Sequence, residues 1–146
     1  MRERFTFADQ SFHGWSATGK SSGRPDGIIF DKHSNAFSVY EGLNISSSSD
    51  SIKKIWNDHL DKLISNYNPN GLKRLFLVSY VESSKFSDLC NRYYDHMSAY
   101  APNGWSLLRR IPGYAETNNI KYAECTYEKG GAETIVCYIF VLMDSQ

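Results

Sequence analysis

Two acidic residues, Asp26 and Glu41, are the first candidates for chemistry in this sequence. Asp26 begins a mostly apolar segment, residues 26–31, that is typical of a buried strand, and Glu41 lies in the middle of a second predicted strand, residues 36–45. The polar turn 32–35 joins these strands, so we expect a hairpin that places them side by side. The spacing therefore predicts that two carboxylates meet on one β-ribbon.

A divalent cation would allow both acids to stay charged. Glu41 is in phase with apolar side chains such as Leu43, so its carboxylate is expected to be buried. Buried carboxylates are costly, and two adjacent ones repel each other unless a cation lies between them. Magnesium binds one or two carboxylates and completes its shell with water and substrate phosphate, so we predict a Mg²⁺ or Mn²⁺ site at Asp26 and Glu41. Alternatively, Asp26 caps a turn after Pro25. Glu41 would then face a polar partner such as Arg24.

A second motif, GWSATGKS at residues 14–21, matches the phosphate-binding pattern G-x-x-x-x-G-K-[ST] at every fixed position. A working P-loop needs a helix directly after this pattern, because the first amides of that helix hold the phosphates. Residues 22–27 contain two glycines and a proline instead, which do not suit a first helical turn. Lys20 is therefore expected to be a solvated loop residue, with a phosphate contact beside the neighbouring acidic site as its functional alternative.

Composition limits the classes of function. The chain has 146 residues, 41% of them hydrophobic, which suits a single domain over residues 1–146 with a packed core. Sixteen basic and sixteen acidic side chains cancel, so binding to nucleic acid must come from a local site. Three widely spaced cysteines predict free thiols, and the absence of a signal-like or membrane-length apolar segment predicts a cytoplasmic protein without a membrane partner.

Hydrophobic periodicity predicts an α/β fold. Apolar residues recur at three- and four-residue steps in two segments, which indicates one helix from the capping pair Ser47 and Asp50 to about Tyr67 and another over residues 84–100. Trp56 and His59 of the first helix are expected to serve core packing. The remaining predicted strands are 74–81, 105–110, 121–127 and 134–143, and the last two form a C-terminal hairpin. This order predicts a mixed central sheet with two helices packed on it.

The pair Pro25-Asp26 at the start of one strand, followed by Glu41 on the next, resembles the PD-(D/E)xK superfamily of restriction-endonuclease-like nucleases. The helix, buried strand and helix that follow also fit that core, so the resemblance covers roughly residues 24–100 of a core that extends to about 110. The N-terminal segment and the hairpin at about 119–144 would be additions. The resemblance implies that Asp26 and Glu41 hold a metal ion that activates water against a phosphodiester of DNA or RNA.

The lysine of that family's motif is missing, because Leu43 stands two positions after the acidic residue. In the family this lysine orients the attacking water and stabilises developing charge. Candidate replacements are Lys53 and Lys54, early in the first helix, and less favourably Lys20; we take Lys53 as the catalytic candidate. His13 is a candidate third metal ligand, because some nucleases of this broad type place a histidine on the metal, although a lone loop histidine is more often exposed.

Two functions remain open at this point. The first is a metal-dependent nuclease with a relocated lysine. The second is a catalytically inactive nuclease-fold module that binds a protein or nucleic-acid partner, for instance in a defence or toxin-control system, either alone or as part of a longer chain. Neutral net charge, many tyrosines and the leucine in the lysine position favour the second.

Overall fold

The structure, a computed structural model, describes residues 25–68, 71–111 and 119–143, and the backbone of residues 6–9. The described strands form one seven-stranded sheet, and two α-helices pack on it. The elements in chain order are β1 (Thr6–Asp9), β2 (Gly27–Phe30), β3 (Ala36–Ile45), α1 (Asp50–Asp61), β4 (Arg74–Val81), α2 (Phe86–Ala99), β5 (Ser106–Arg110), β6 (Ile120–Lys129) and β7 (Ala132–Leu142).

The sheet is mixed, as the order of elements predicts. Its strands lie in the order β1-β2-β3-β4-β7-β6-β5. The central pairs β3·β4 and β4·β7 are parallel, and the remaining neighbours are antiparallel. The predicted hairpin of β2 and β3 is present, with Gly27 opposite Tyr40. This register places the residue before β2 next to the middle of β3.

Both helices cover the same face of the sheet. Trp56 of α1 is fully buried, and its ring lies 5.5 Å from that of Tyr93 on α2 and 5.3 Å from that of Tyr138 on β7. The indole Nε1 donates a hydrogen bond to Ser79 Oγ of β4 at 3.2 Å, which satisfies its polar group inside the core. The prediction that Trp56 packs in the core is therefore confirmed, and this residue joins both helices to the centre of the sheet.

The first helix begins and ends differently from its prediction. Ser49, not Ser47, is the N-cap, and its hydroxyl accepts a hydrogen bond from the Ile52 amide. At the other end the α-helical hydrogen bonding changes into a π-helical turn over Lys62–Asn66, closed by Tyr67 N donating to Lys62 O at 2.9 Å. Such turns insert an extra residue and change the direction of the side chains that follow.

The C-terminal hairpin is confirmed. Strands β6 and β7 pair along their full length, and the two-residue turn Gly130-Gly131 has φ values of 59° and 85°. Positive φ at both central positions suits a tight hairpin turn, and glycine adopts it without strain. The pairing of β7 with β4 makes this hairpin part of the main sheet.

Cys90, Cys125 and Cys137 are buried, and none of the three forms a disulfide bond. Among the described residues, the longest apolar helix falls short of what is needed to cross a lipid bilayer.

Candidate active site

The carboxylate of Glu41 is buried on the helix-facing side of β3. The residue is only 5% exposed and is surrounded by the apolar core of that face. Its Oε1 lies 2.8 Å from Nδ1 of His59 on α1. Its Oε2 is also buried, and no residue in the described part of the chain forms a hydrogen bond with it. A buried polar atom without a partner is costly, so this oxygen is a position where a hydrogen-bond donor or a cation would be favourable.

Asp26 reaches the same stretch of β3 from the neighbouring strand. Its Oδ2 accepts a hydrogen bond from the backbone N–H of Gly42 at 2.7 Å. Gly42 directly follows Glu41 in β3. Glu41 therefore belongs to the strand, and the Asp26 carboxylate is hydrogen-bonded to the residue after it. The side chain therefore anchors the start of β2 to β3. Among the described residues this bond to β3 is the contact of the Asp26 carboxylate, in place of the turn cap after Pro25 that the sequence also allowed.

The phenol of Tyr67 lies within electrostatic range of both acids. Burial raises the pKa of Tyr67 to about 12, and the negative charges of Glu41 and Asp26 add to this effect. Tyr67 follows the π-helical turn, which therefore determines where this side chain lies. Tyr67 is therefore neutral at physiological pH and retains its O–H as a hydrogen-bond donor.

His59 is the functional candidate that sequence reasoning missed. Its side chain is 26% exposed and bonds to Glu41, so the expectation that it serves core packing is wrong. α1 starts beyond the end of β3 and folds back over it, which places a residue of the last helical turn above the middle of the strand. The signal was present in the sequence: a buried glutamate requires a partner, and His59 is a polar residue beside Leu60 on the apolar stripe of the adjacent helix.

The predicted lysines occupy other surroundings. The positive charge of Lys53 influences His96 of α2. The pKa of this histidine is lowered mainly by burial and further by the charge of Lys53. Lys54 pairs with Asp58 at 3.2 Å, and its side chain is 77% exposed. The described side chain that hydrogen-bonds to Glu41 is His59. Lys20 and His13, and the whole GWSATGKS motif, lie outside the described residues, as does Arg24.

The residues present fit a cation with few protein ligands. Within residues 25–68, 71–111 and 119–143 there is no group of three or more potential metal-binding side chains. The carboxylates of Asp26 and Glu41 are both attached or hydrogen-bonded to the segment 41–42 of β3, and Mg²⁺ usually takes one or two carboxylates from a protein. The buried Oε2 of Glu41 is the atom that such an ion would satisfy.

Comparison of the chain with protein-family models, with curated proteins and with solved structures finds no match.

Proposed function

We propose that this chain is a metal-dependent nuclease that hydrolyses phosphodiester bonds of DNA or RNA, with Mg²⁺ or Mn²⁺ held by Asp26 and Glu41. The observation that carries this proposal is the Glu41 carboxylate, which is 5% exposed and has one buried oxygen without a partner among the described residues. Asp26, bonded to the next residue of the same strand, supplies the second carboxylate. A protein gains little stability from such an arrangement, whereas a metal site requires it.

The arrangement of elements around the two acids supports the same proposal. An antiparallel hairpin, a helix that folds back over its second strand, and a parallel strand beside it follow one another as β2, β3, α1 and β4. This is the order expected for a restriction-endonuclease-like core. The likeness to that superfamily rests on the hairpin and its two acids, and it remains part of the proposal.

Each residue of the site has a separate task in this reaction. Asp26 and Glu41 hold the cation, which when bound would activate water and neutralise charge on the phosphate. The Gly42 amide fixes the Asp26 carboxylate, and His59 fixes that of Glu41. Tyr67 is neutral and within electrostatic range of both acids, so its O–H would be available to donate to an oxygen of the substrate.

Purified protein should cleave DNA or RNA only when Mg²⁺ or Mn²⁺ is added. Asp26→Asn and Glu41→Gln should each abolish cleavage, since each removes a negative ligand while keeping the size of the side chain. Glu82→Gln is the matched control, because this exposed glutamate follows β4 and its loss should leave cleavage intact. If the unmodified protein cleaves neither single- nor double-stranded substrates, the proposed nuclease activity is refuted.

One observation favours the second function, an inactive module that binds a partner. Leu43, in the position of the family's lysine, is 8% exposed and belongs to the hydrophobic core, so no charged group reaches the site from that position. Uptake of Mn²⁺ without cleavage of any substrate would support this alternative. If the protein neither binds Mn²⁺ nor cleaves nucleic acid, the metal site is ruled out.

A further inference from the structure

We propose that His59 is a positioning residue for the metal site, a role that deepens, and rests on, the function proposed above. By donating a hydrogen bond to Glu41 Oε1, His59 holds the carboxylate so that Oε2 is the oxygen presented to the cation. This N–H donor comes from α1, which folds back over β3.

The chemistry of the two groups gives the hydrogen bond its direction. An ionised carboxylate oxygen only accepts, so His59 Nδ1, which lies 2.8 Å from Glu41 Oε1, is the donor. This bond uses Oε1 and leaves Oε2 without a partner among the described residues. The two oxygens of one carboxylate are chemically equivalent until such a bond distinguishes them. His59 therefore decides which oxygen of Glu41 is free.

The different burial of the two side chains supports a positioning role over a packing role. The Glu41 side chain is 7% exposed and that of His59 is 26% exposed. The imidazole thus reaches from the outer part of α1 to a carboxylate in the interior, next to the fully buried Leu60. An apolar side chain at this position would fill the space but leave Glu41 Oε1 without its donor, whereas a donor at the Nδ1 position orients the carboxylate.

Residues that hydrogen-bond to a metal ligand typically change metal affinity by about 10–100-fold when they are replaced. The test is calorimetric titration of the full chain with Mn²⁺ at one fixed pH, accompanied by thermal unfolding of each variant. His59→Asn places an amide N–H near the position of Nδ1, and His59→Gln places it near that of Nε2. His59→Leu removes the donor altogether.

Unmodified protein and His59→Asn should bind Mn²⁺ with affinities within about threefold of each other, while His59→Gln and His59→Leu should bind about 10–100-fold more weakly. If His59→Leu does not fold, the comparison of Asn with Gln decides the question. A merely structural histidine predicts lower unfolding temperatures with unchanged Mn²⁺ affinity in every folded variant, and that result would overturn the inference while leaving the proposed nuclease intact. No Mn²⁺ uptake by the unmodified protein would instead remove the proposed function, and this inference with it.

Discussion

Glu41 Oε1 lies 2.8 Å from His59 Nδ1, and the other oxygen of the same carboxylate is buried without a partner among the described residues. The Glu41 carboxylate is therefore buried in the core with only one of its two oxygens hydrogen-bonded to a described residue. Such a group costs folding free energy in the metal-free protein, since the hydration of a charge is lost and only one hydrogen bond replaces it. An apolar side chain at position 41 should therefore increase the stability of the metal-free protein, whereas metal binding requires the carboxylate.

Replacing this acid by an apolar residue of similar size should stabilise the metal-free protein. We expect Glu41→Met to raise the free energy of unfolding in urea by about 1–3 kcal/mol, in buffer containing a chelator, because it removes a buried oxygen without a partner among the described residues. The partly exposed His59 can then bond to water. Glu82→Met, at an exposed position, is the control and should change stability little. A large loss of stability in Glu41→Met would show that the carboxylate holds α1 on the sheet.

Placing the family's lysine at position 43 should lower the stability of the protein. Leu43 is 8% exposed within the core, so Leu43→Lys loses apolar burial and forces an ammonium group toward a hydrophobic region. We expect a loss of about 2–5 kcal/mol, compared with less than about 1.5 kcal/mol for the volume-conserving Leu43→Met. Urea unfolding of both variants measures the difference. Equal stability of the two would mean that a lysine can extend from this position to the site.

A side chain at position 42 should disturb the two tyrosines that lie across it. A Cβ atom there would be 2.6 Å from the Tyr40 hydroxyl and 3.2 Å from Cε2 of Tyr80, and the hydroxyls of these tyrosines are 2.5 Å apart. Gly42→Ala should therefore displace Tyr40 and cost about 1 kcal/mol through the lost hydrogen bond. In a Tyr40→Ala background the same substitution should be nearly neutral, which a double-mutant cycle of unfolding free energies reveals. Additive effects would contradict the contact.

His96 should make stability depend on pH below neutrality. Its Nε2 bonds to Asn57 Oδ1 at 2.7 Å and its ring stacks on Tyr100, while burial and the charge of Lys53 lower its pKa. The unfolded chain therefore binds a proton on this histidine at a higher pH than the folded chain does, so folding is weakened as pH falls below about 6.5.

The size of this effect is bounded by one proton. Between pH 6.5 and the lowered pKa, His96 adds at most about 1.4 kcal/mol per pH unit to the slope of unfolding free energy. His96→Gln should reduce that slope, whereas His33→Gln, in the exposed turn between β2 and β3, serves as the control. If the free energy of unfolding has the same pH dependence in the unmodified protein and in His96→Gln, His96 is not the group responsible.

Much of the fold could be predicted because the elements are encoded locally. The stripe of α1, the apolar run of β4 and the glycine pair between β6 and β7 are each visible within a short window, and the structure has all three. Ser49 as the cap and the π-helical turn at Lys62–Asn66 were not predicted. Several serines precede α1, and which of them caps it, like the place where the helix gains an extra residue, depends on how α1 packs on the sheet.

The sequence by itself determined that an acid would be buried on β3, since alternation with apolar neighbours requires Glu41 to face the core. It also placed Asp26 at the start of the adjacent strand. Only the tertiary structure decided that Asp26 bonds to the Gly42 amide, that His59 bonds to Glu41, and that β7 lies between β4 and β6. Contacts between residues 16 or 18 positions apart depend on the crossing of whole elements, and a periodic pattern specifies the face of each element but not which residue it meets.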